Sequence, residues 1–141
     1  MKTLRTQYAA VTEKLVEAGL RPTRQRILLG SLLFSKGCRH VTAESLHREA
    51  KSAHIDVSLA TVYNTLHQFT GATLLREVSI EGGRSYFDTN VSTHHHFLCE
   101  DTGELTDIPG EHVTLENLPH PPAGKRVSSV DVVIRLKSTE Y

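Results

Sequence analysis

Leu59, Val62, Leu66 and Phe69 recur at the spacing of a single helix face, and the chain around them has few ways to bury that stripe. Ser58 precedes the stripe as a candidate N-cap. Two strand-like runs follow it, Leu74 to Ile80 and Arg84 to Asp88, joined by Glu81-Gly82-Gly83, which reads as a β-hairpin with glycines in the turn. The opposite helix face carries Thr61, Asn64, Thr65 and Gln68, all polar and uncharged, where simple solvation would favour Lys and Glu. Amides suit adenine edges and hydroxyls suit phosphates, so this face fits a helix lying in a major groove. Tyr63 lies at the edge of the apolar stripe, where core packing competes with base contact.

Upstream, Leu4, Tyr8, Val11 and Leu15 predict a helix that Ala18-Gly19 closes with a C′-type glycine. Arg21-Pro22-Thr23-Arg24-Gln25-Arg26 opens a second helix, with proline suited to its first turn and Leu28-Leu29, Leu32-Leu33 and Phe34 as its core face. Thr42 is the expected N-cap of a third helix, in which Leu46 and Ala50 face inward. Two helices followed by a third, a recognition-type helix and a hairpin make a winged helix. Arg21, Arg24 and Arg26 form its densest positive patch, and Arg84 at the hairpin is placed for a backbone contact.

The predicted architecture is α+β. It has an N-terminal winged-helix DNA-binding domain over residues 1–88, a hinge at 89–93, and a small α/β domain over 94–141. In that second part His94-His95-His96 reads as extended, so His94 and His96 share one face while His95 points to the other. An i, i+2 histidine pair on a strand is a good start for a metal or haem site, because imidazole suits iron, manganese and zinc centres. A strand at 104–108, a short helix from Glu111 to Leu118, and a last strand from Val127 to Leu136 complete the domain. About 50 residues are too few for a stable independent core, so pairing with a second copy is expected.

Charge follows the same division. Residues 1–70 hold ten Lys/Arg against five Asp/Glu, and the remaining 71 hold six against eleven. A basic half beside an acidic, histidine-bearing half suits a polyanion-binding module joined to a cation-binding one. The longest apolar stretch, Ile27 to Phe34, is too short to span a bilayer. With no secretory h-region and only Cys38 and Cys99, a reducing cytoplasm is the default and no disulfide framework is present. No nucleophile or general base is positioned near the histidines, which argues against a metalloenzyme.

The order of motifs resembles the ferric uptake regulator family over residues 8 to 136. It is carried by Gly19-Leu20-Arg21-Pro22-Thr23-Arg24-Gln25-Arg26, His40-Val41-Thr42-Ala43-Glu44, Ser58-Leu59-Ala60-Thr61-Val62-Tyr63-Asn64-Thr65-Leu66, Gly82-Gly83-Arg84-Ser85-Tyr86-Phe87-Asp88 and His94-His95-His96-Phe97-Leu98-Cys99. The triple histidine and the missing cysteine pairs look most like the haem-responsive iron response regulator branch.

The resemblance implies a homodimeric, cytoplasmic, sequence-specific transcriptional regulator of iron or haem metabolism genes. It would act on a palindromic AT-rich operator under control of haem or of divalent iron, manganese or zinc. The alternative is a metal-responsive repressor of the same family that does not use haem. Implied ligands are His40, Asp88, His94 and His96, with Asp107 a further acid. Haem would use His94, His95 and His96. Implied DNA contacts are Arg21, Arg24, Arg26, Ser58, Thr61, Tyr63, Asn64 and Arg84.

The chain also departs from the family pattern. Cys99 is followed by Thr102 rather than a second cysteine, so no structural zinc held by C-x-x-C pairs is expected. The second family site is eroded, since His95 stands where an aspartate is common and Val130 where a histidine is expected. Neither cysteine precedes proline, so the N-terminal Cys-Pro haem motif is missing.

Overall fold

Gly19 adopts φ +80 and closes the first helix, α1 (Leu4–Glu17), with two reversed hydrogen bonds: Leu20 N donates to Leu15 O at 2.9 Å and Gly19 N to Val16 O at 3.0 Å. The computed structural model describes residues 4–80, 83–92 and 94–139 and divides into two units, Met1–Val91 and Ser92–Tyr141. Expectations that fall on Glu81, Gly82 and Thr93 lie outside the described residues.

In the first unit, α2 spans Arg24–Phe34 with Thr23 as N-cap, its hydroxyl accepting from Arg26 N. Pro22 therefore stands just before the cap, not in the first turn as the sequence suggests. Gly30 and Ser31, which interrupt the apolar run, are buried inside this helix. A Cβ on Gly30 would come within 2.7 Å of Val11 Cγ1, so the missing side chain is what lets α1 pack against α2.

A two-residue strand, β1 (His40–Val41), leads into α3 (Ala43–Ser52). Thr42 caps α3 through a capping box closed by Ser45. Ser58 caps α4 (Leu59–Gly71), and Val62, Leu66 and Phe69 are fully buried. Thr65, expected on the polar face, is buried as well, and its hydroxyl donates to Thr61 O at 2.8 Å one turn back. Both helices end as α1 does, but with His54 (φ +59) and Thr73 (φ +64) in the left-handed position in place of glycine.

The strands β2 (Arg76–Ile80) and β3 (Arg84–Asp88) pair antiparallel, and β1 pairs with the other edge of β3, giving the order β1-β3-β2. One core unites the helices and this sheet, with Leu15, Leu29, Leu33, Leu46, Phe69 and Phe87 at full burial. Arg39 ties the start of β1 to the helices. Its guanidinium bonds both Glu49 carboxylate oxygens and donates to Leu32 O at 2.9 Å. Burial pushes the Glu49 carboxyl up, but the hydrogen bonds and charges of Arg39 and Lys36 outweigh it and hold the group below its ordinary value.

The second unit is a three-stranded sheet. Its central strand β4 (His95–Cys99) pairs antiparallel with β5 (Leu105–Ile108) and parallel with β6 (Val133–Leu136). The helix expected from Glu111 to Leu118 is replaced by a single 3-10 turn at Gly110–His112. The last strand begins at Val133 instead of Val127. Both differences share a cause: Pro109 fixes the entry to the turn, and Pro119, Pro121 and Pro122 deny the segment helical or ladder hydrogen bonds. Ile134 and Leu136 on this strand remain 39% and 41% exposed. Leu98, Leu105 and Ile108 are the buried aliphatic side chains among the described residues of this unit.

Candidate functional site

His40 and Asp88 stand directly opposite each other on β1 and β3. Paired residues on one face of an antiparallel ladder bring their side chains into contact, and His40 Nε2 lies 3.1 Å from Asp88 Oδ2. Asp88 is fully buried, and its other oxygen accepts from Asn90 N at 2.8 Å, which fixes the carboxylate plane. Thr89 N donates to Arg39 O and Arg39 N to Thr89 Oγ1, so the short strand is clamped beside the pair. The strand His40–Val41 was not legible in the sequence, because two residues carry no period.

The second unit repeats the device. His96 and Asp107 are direct partners across β4 and β5, with Nε2 3.3 Å from Oδ1. His94, two residues before His96, presents its Nε2 to the same oxygen at 3.1 Å, and the two imidazole centroids are 4.6 Å apart. Alternation along an extended chain thus does what the sequence reading requires of His94 and His96. His94 Nδ1 lies 2.6 Å from Ser92 O, an acceptor only, so that nitrogen carries a proton and the ring is held with Nε2 toward Asp107. Two imidazole nitrogens and a carboxylate oxygen facing one point form an electron-rich cluster that a cation would satisfy. The side-chain chemistry and spacing fit a divalent ion of the manganese, iron or zinc type.

His95 points the other way and serves the sheet. Its Nδ1 accepts from Val132 N at 3.1 Å, which places the proton on Nε2 in a buried side chain. Neither ring nitrogen then offers a free lone pair. Cys99 carries no cysteine partner. Hydrogen bonding from the Thr102 hydroxyl, together with backbone N–H groups, holds its thiol below the ordinary range.

On the first unit, α4 exposes Tyr63, Asn64, His67 and Gln68. The Tyr63 hydroxyl donates to Glu44 Oε1 on α3 at 2.8 Å, and its ring stacks on His67 with centroids 6.4 Å apart. That hydrogen bond is the main reason the phenol is raised and the Glu44 carboxyl lowered from their ordinary values. Arg21, Arg24 and Arg84 are exposed, whereas Arg26 is engaged within the fold. Ser58 and Thr61 are linked at the helix cap, with Ser58 Oγ 2.9 Å from Thr61 Oγ1. No helix among the described residues is long and apolar enough to cross a membrane.

Residues 17–131 match the model of the ferric uptake regulator family. The ferric uptake regulation protein of Pseudomonas aeruginosa is 39% identical over 96 residues, covering 67% of this chain and 72% of that protein. That of Vibrio anguillarum is 34% identical over 100 residues, covering 70% of this chain and 67% of its own length. The chain thus spans about two thirds of the length of the curated Vibrio relatives it matches. Among solved structures, the ferric uptake regulator from Pseudomonas aeruginosa with manganese aligns with TM-score 0.68 and 28% identity, over 92% of this chain and 98% of that one.

Proposed function

The chain belongs to the ferric uptake regulator family, whose members are metal-responsive transcription regulators and not enzymes, and from that premise we propose that it binds operator DNA as a homodimer under control of a divalent metal ion. One observation carries the reading. His94 and His96 direct their Nε2 atoms at a single oxygen of Asp107, a donor set that suits a divalent cation. His40 and Asp88, opposed in the same way six residues or more upstream of His94, supply the rest of the ligand set in this proposal. Donors drawn from both units couple occupancy to the set of the winged helix, and so to the spacing of two recognition helices in a dimer.

Within the winged helix, Arg21, Arg24 and Arg84 are the phosphate or minor-groove contacts, and Ser58, Thr61, Tyr63 and Asn64 meet the duplex from α4. The half-exposed Ile134 and Leu136 on β6 support pairing of the second unit with another copy. Action on DNA in the cytoplasm and on iron-metabolism genes belongs to the same proposal.

The metal-only form is favoured over the haem form. His95 spends its Nδ1 on Val132, and the relatives carry the ferric uptake name rather than that of the iron response regulator. The test is affinity for the operator that the chain selects from random duplexes, measured with manganese(II), with haem, and with neither. Tightening by manganese alone is expected. A Soret shift accompanied by haem-dependent release would favour the haem form. No selected duplex at any metal level would refute the function.

A further inference from the structure

Gln68 and Arg26 face each other from α4 and α2. Arg26 Nε and Nη2 donate to Gln68 Oε1 at 3.2 and 3.1 Å, and Nη1 donates to Arg21 O at 2.9 Å. A guanidinium has donors only, so this contact fixes which end of the Gln68 amide is oxygen. Both lone pairs of that oxygen are taken. The guanidinium is in turn pinned by the Arg21 carbonyl, which also accepts Thr23 N at 2.9 Å ahead of the α2 cap. The fork cannot swing away without breaking three hydrogen bonds.

What remains outward on Gln68 is its NH2 group, on the exposed face that also carries Asn64 one turn earlier. Among the described residues nothing else engages that NH2. Bidentate reading of adenine requires an amide oxygen and an amide nitrogen together, and Asn64 retains both. Gln68 does not. The bidentate form of the expectation that all the amides of this face suit adenine edges therefore fails at Gln68, for a reason invisible in sequence: its partner lies 42 residues away on α2.

We propose that Arg26 is a positioning residue for Gln68, turning its amide so that Gln68 offers the duplex N–H donors alone and selects a hydrogen-bond acceptor there. That acceptor is a purine N7, a guanine O6 or a thymine O4 in the groove, or a phosphate oxygen of the backbone. The inference rests on the DNA-binding reading above and reassigns Arg26 from a direct contact to an indirect one.

The experiment uses the full chain with saturating manganese(II). Dissociation constants are measured on the duplex selected by wild type and on a scrambled duplex, across a salt series. The variants are Gln68→Ala, Arg26→Ala, the double variant, Gln68→Glu and Arg26→Lys, each with a melting temperature. Loss of one neutral hydrogen bond weakens binding about fivefold. Gln68→Ala and Arg26→Ala are each expected to show that loss, and the double variant no more than either. Gln68→Glu keeps the pairing with Arg26, and so its melting temperature, yet loses the outward donors and binds at least as weakly. Arg26→Lys keeps the charge, loses the fork, and follows Arg26→Ala.

The salt slope is expected to stay at its wild-type value in every neutral-contact variant and in Arg26→Ala. A loss confined to the selected duplex identifies a base edge as the acceptor, and an equal loss on both identifies a phosphate. A slope reduced by about one unit in Arg26→Ala would make Arg26 a phosphate contact and overturn the proposal. Additive losses, or wild-type affinity in Gln68→Glu, would overturn it while leaving the DNA-binding reading intact. Failure of wild type to bind any duplex would remove both.

Discussion

His96 and Asp107 are direct cross-strand partners on β4 and β5, with Nε2 3.3 Å from Oδ1, and the sheet register alone puts them there. A one-residue slip of either strand would turn its side chain to the opposite face and part the pair. Site geometry in the second unit is therefore as secure as the pairing of the strands. Asp107→Asn would keep the shape while removing the negative charge. The expected result is a manganese(II) affinity lowered by more than about 100-fold, a larger loss than the roughly 10–100-fold typical of a supporting group outside the ligand shell. Calorimetric titration of the purified protein measures it.

Thr73 closes α4 at φ +64, a conformation disfavoured for a β-branched residue, and it is exposed. Thr73→Gly relieves that strain and is expected to raise stability by about 1 kcal/mol. Urea denaturation with an unchanged slope would report it. A loss of stability would mean that the Thr73 side chain contributes a contact the backbone argument omits.

Gly30→Ala is expected to do the reverse, although alanine is the better helix former. The new methyl would meet Val11 Cγ1 at 2.7 Å, and Val11 is itself buried and stiff at χ1. Overpacking of this kind destabilises by about 1–3 kcal/mol, more than the helix propensity gain of about 1 kcal/mol. A melting temperature at or above wild type would show that α1 moves aside freely.

The bond from Tyr63 to Glu44 has a definite pH sense. Glu44 is held below the ordinary carboxylate range, first by the Tyr63 hydroxyl and then by backbone hydrogen bonding and Arg48, against a small desolvation effect. A depressed carboxyl contributes fully above its unfolded-state pKa, and the contribution is lost as pH falls through the folded-state value. Glu44→Gln should therefore differ from wild type in melting temperature at neutral pH, and the difference should shrink as pH falls through the carboxylate range. A gap that widens on acidification would reverse the assignment.

Much of the fold was legible because its signals are local. The caps Thr42 and Ser58, the stripe of α4 and the glycine closing α1 are each read within a few residues. The closures at His54 and Thr73 were not, since neither is glycine and both depend on the turn being completed by packing. In the site, alternation was enough to pair His94 with His96, but their approach to Asp107 depends on the β4–β5 register. Gln68 shows the limit most clearly: its residue type suggested bidentate adenine reading, whereas a partner on another helix engages its amide oxygen.

Cys99 offers a further check on local electrostatics. Thr102→Val removes the hydroxyl that most lowers the Cys99 thiol, so alkylation of Cys99 in a Cys38→Ser background should slow at neutral pH. An unchanged rate would place the control of that thiol elsewhere.

The proposal that the two histidine–aspartate pairs share one ion is tested most directly by manganese(II) titration of wild type, His40→Ala and His94→Ala under one buffer condition. One tight ion per chain is expected for wild type, and both variants should weaken that same site by more than about tenfold. Full wild-type affinity and stoichiometry in His40→Ala, with loss only in His94→Ala, would contradict it and confine the ion to His94, His96 and Asp107.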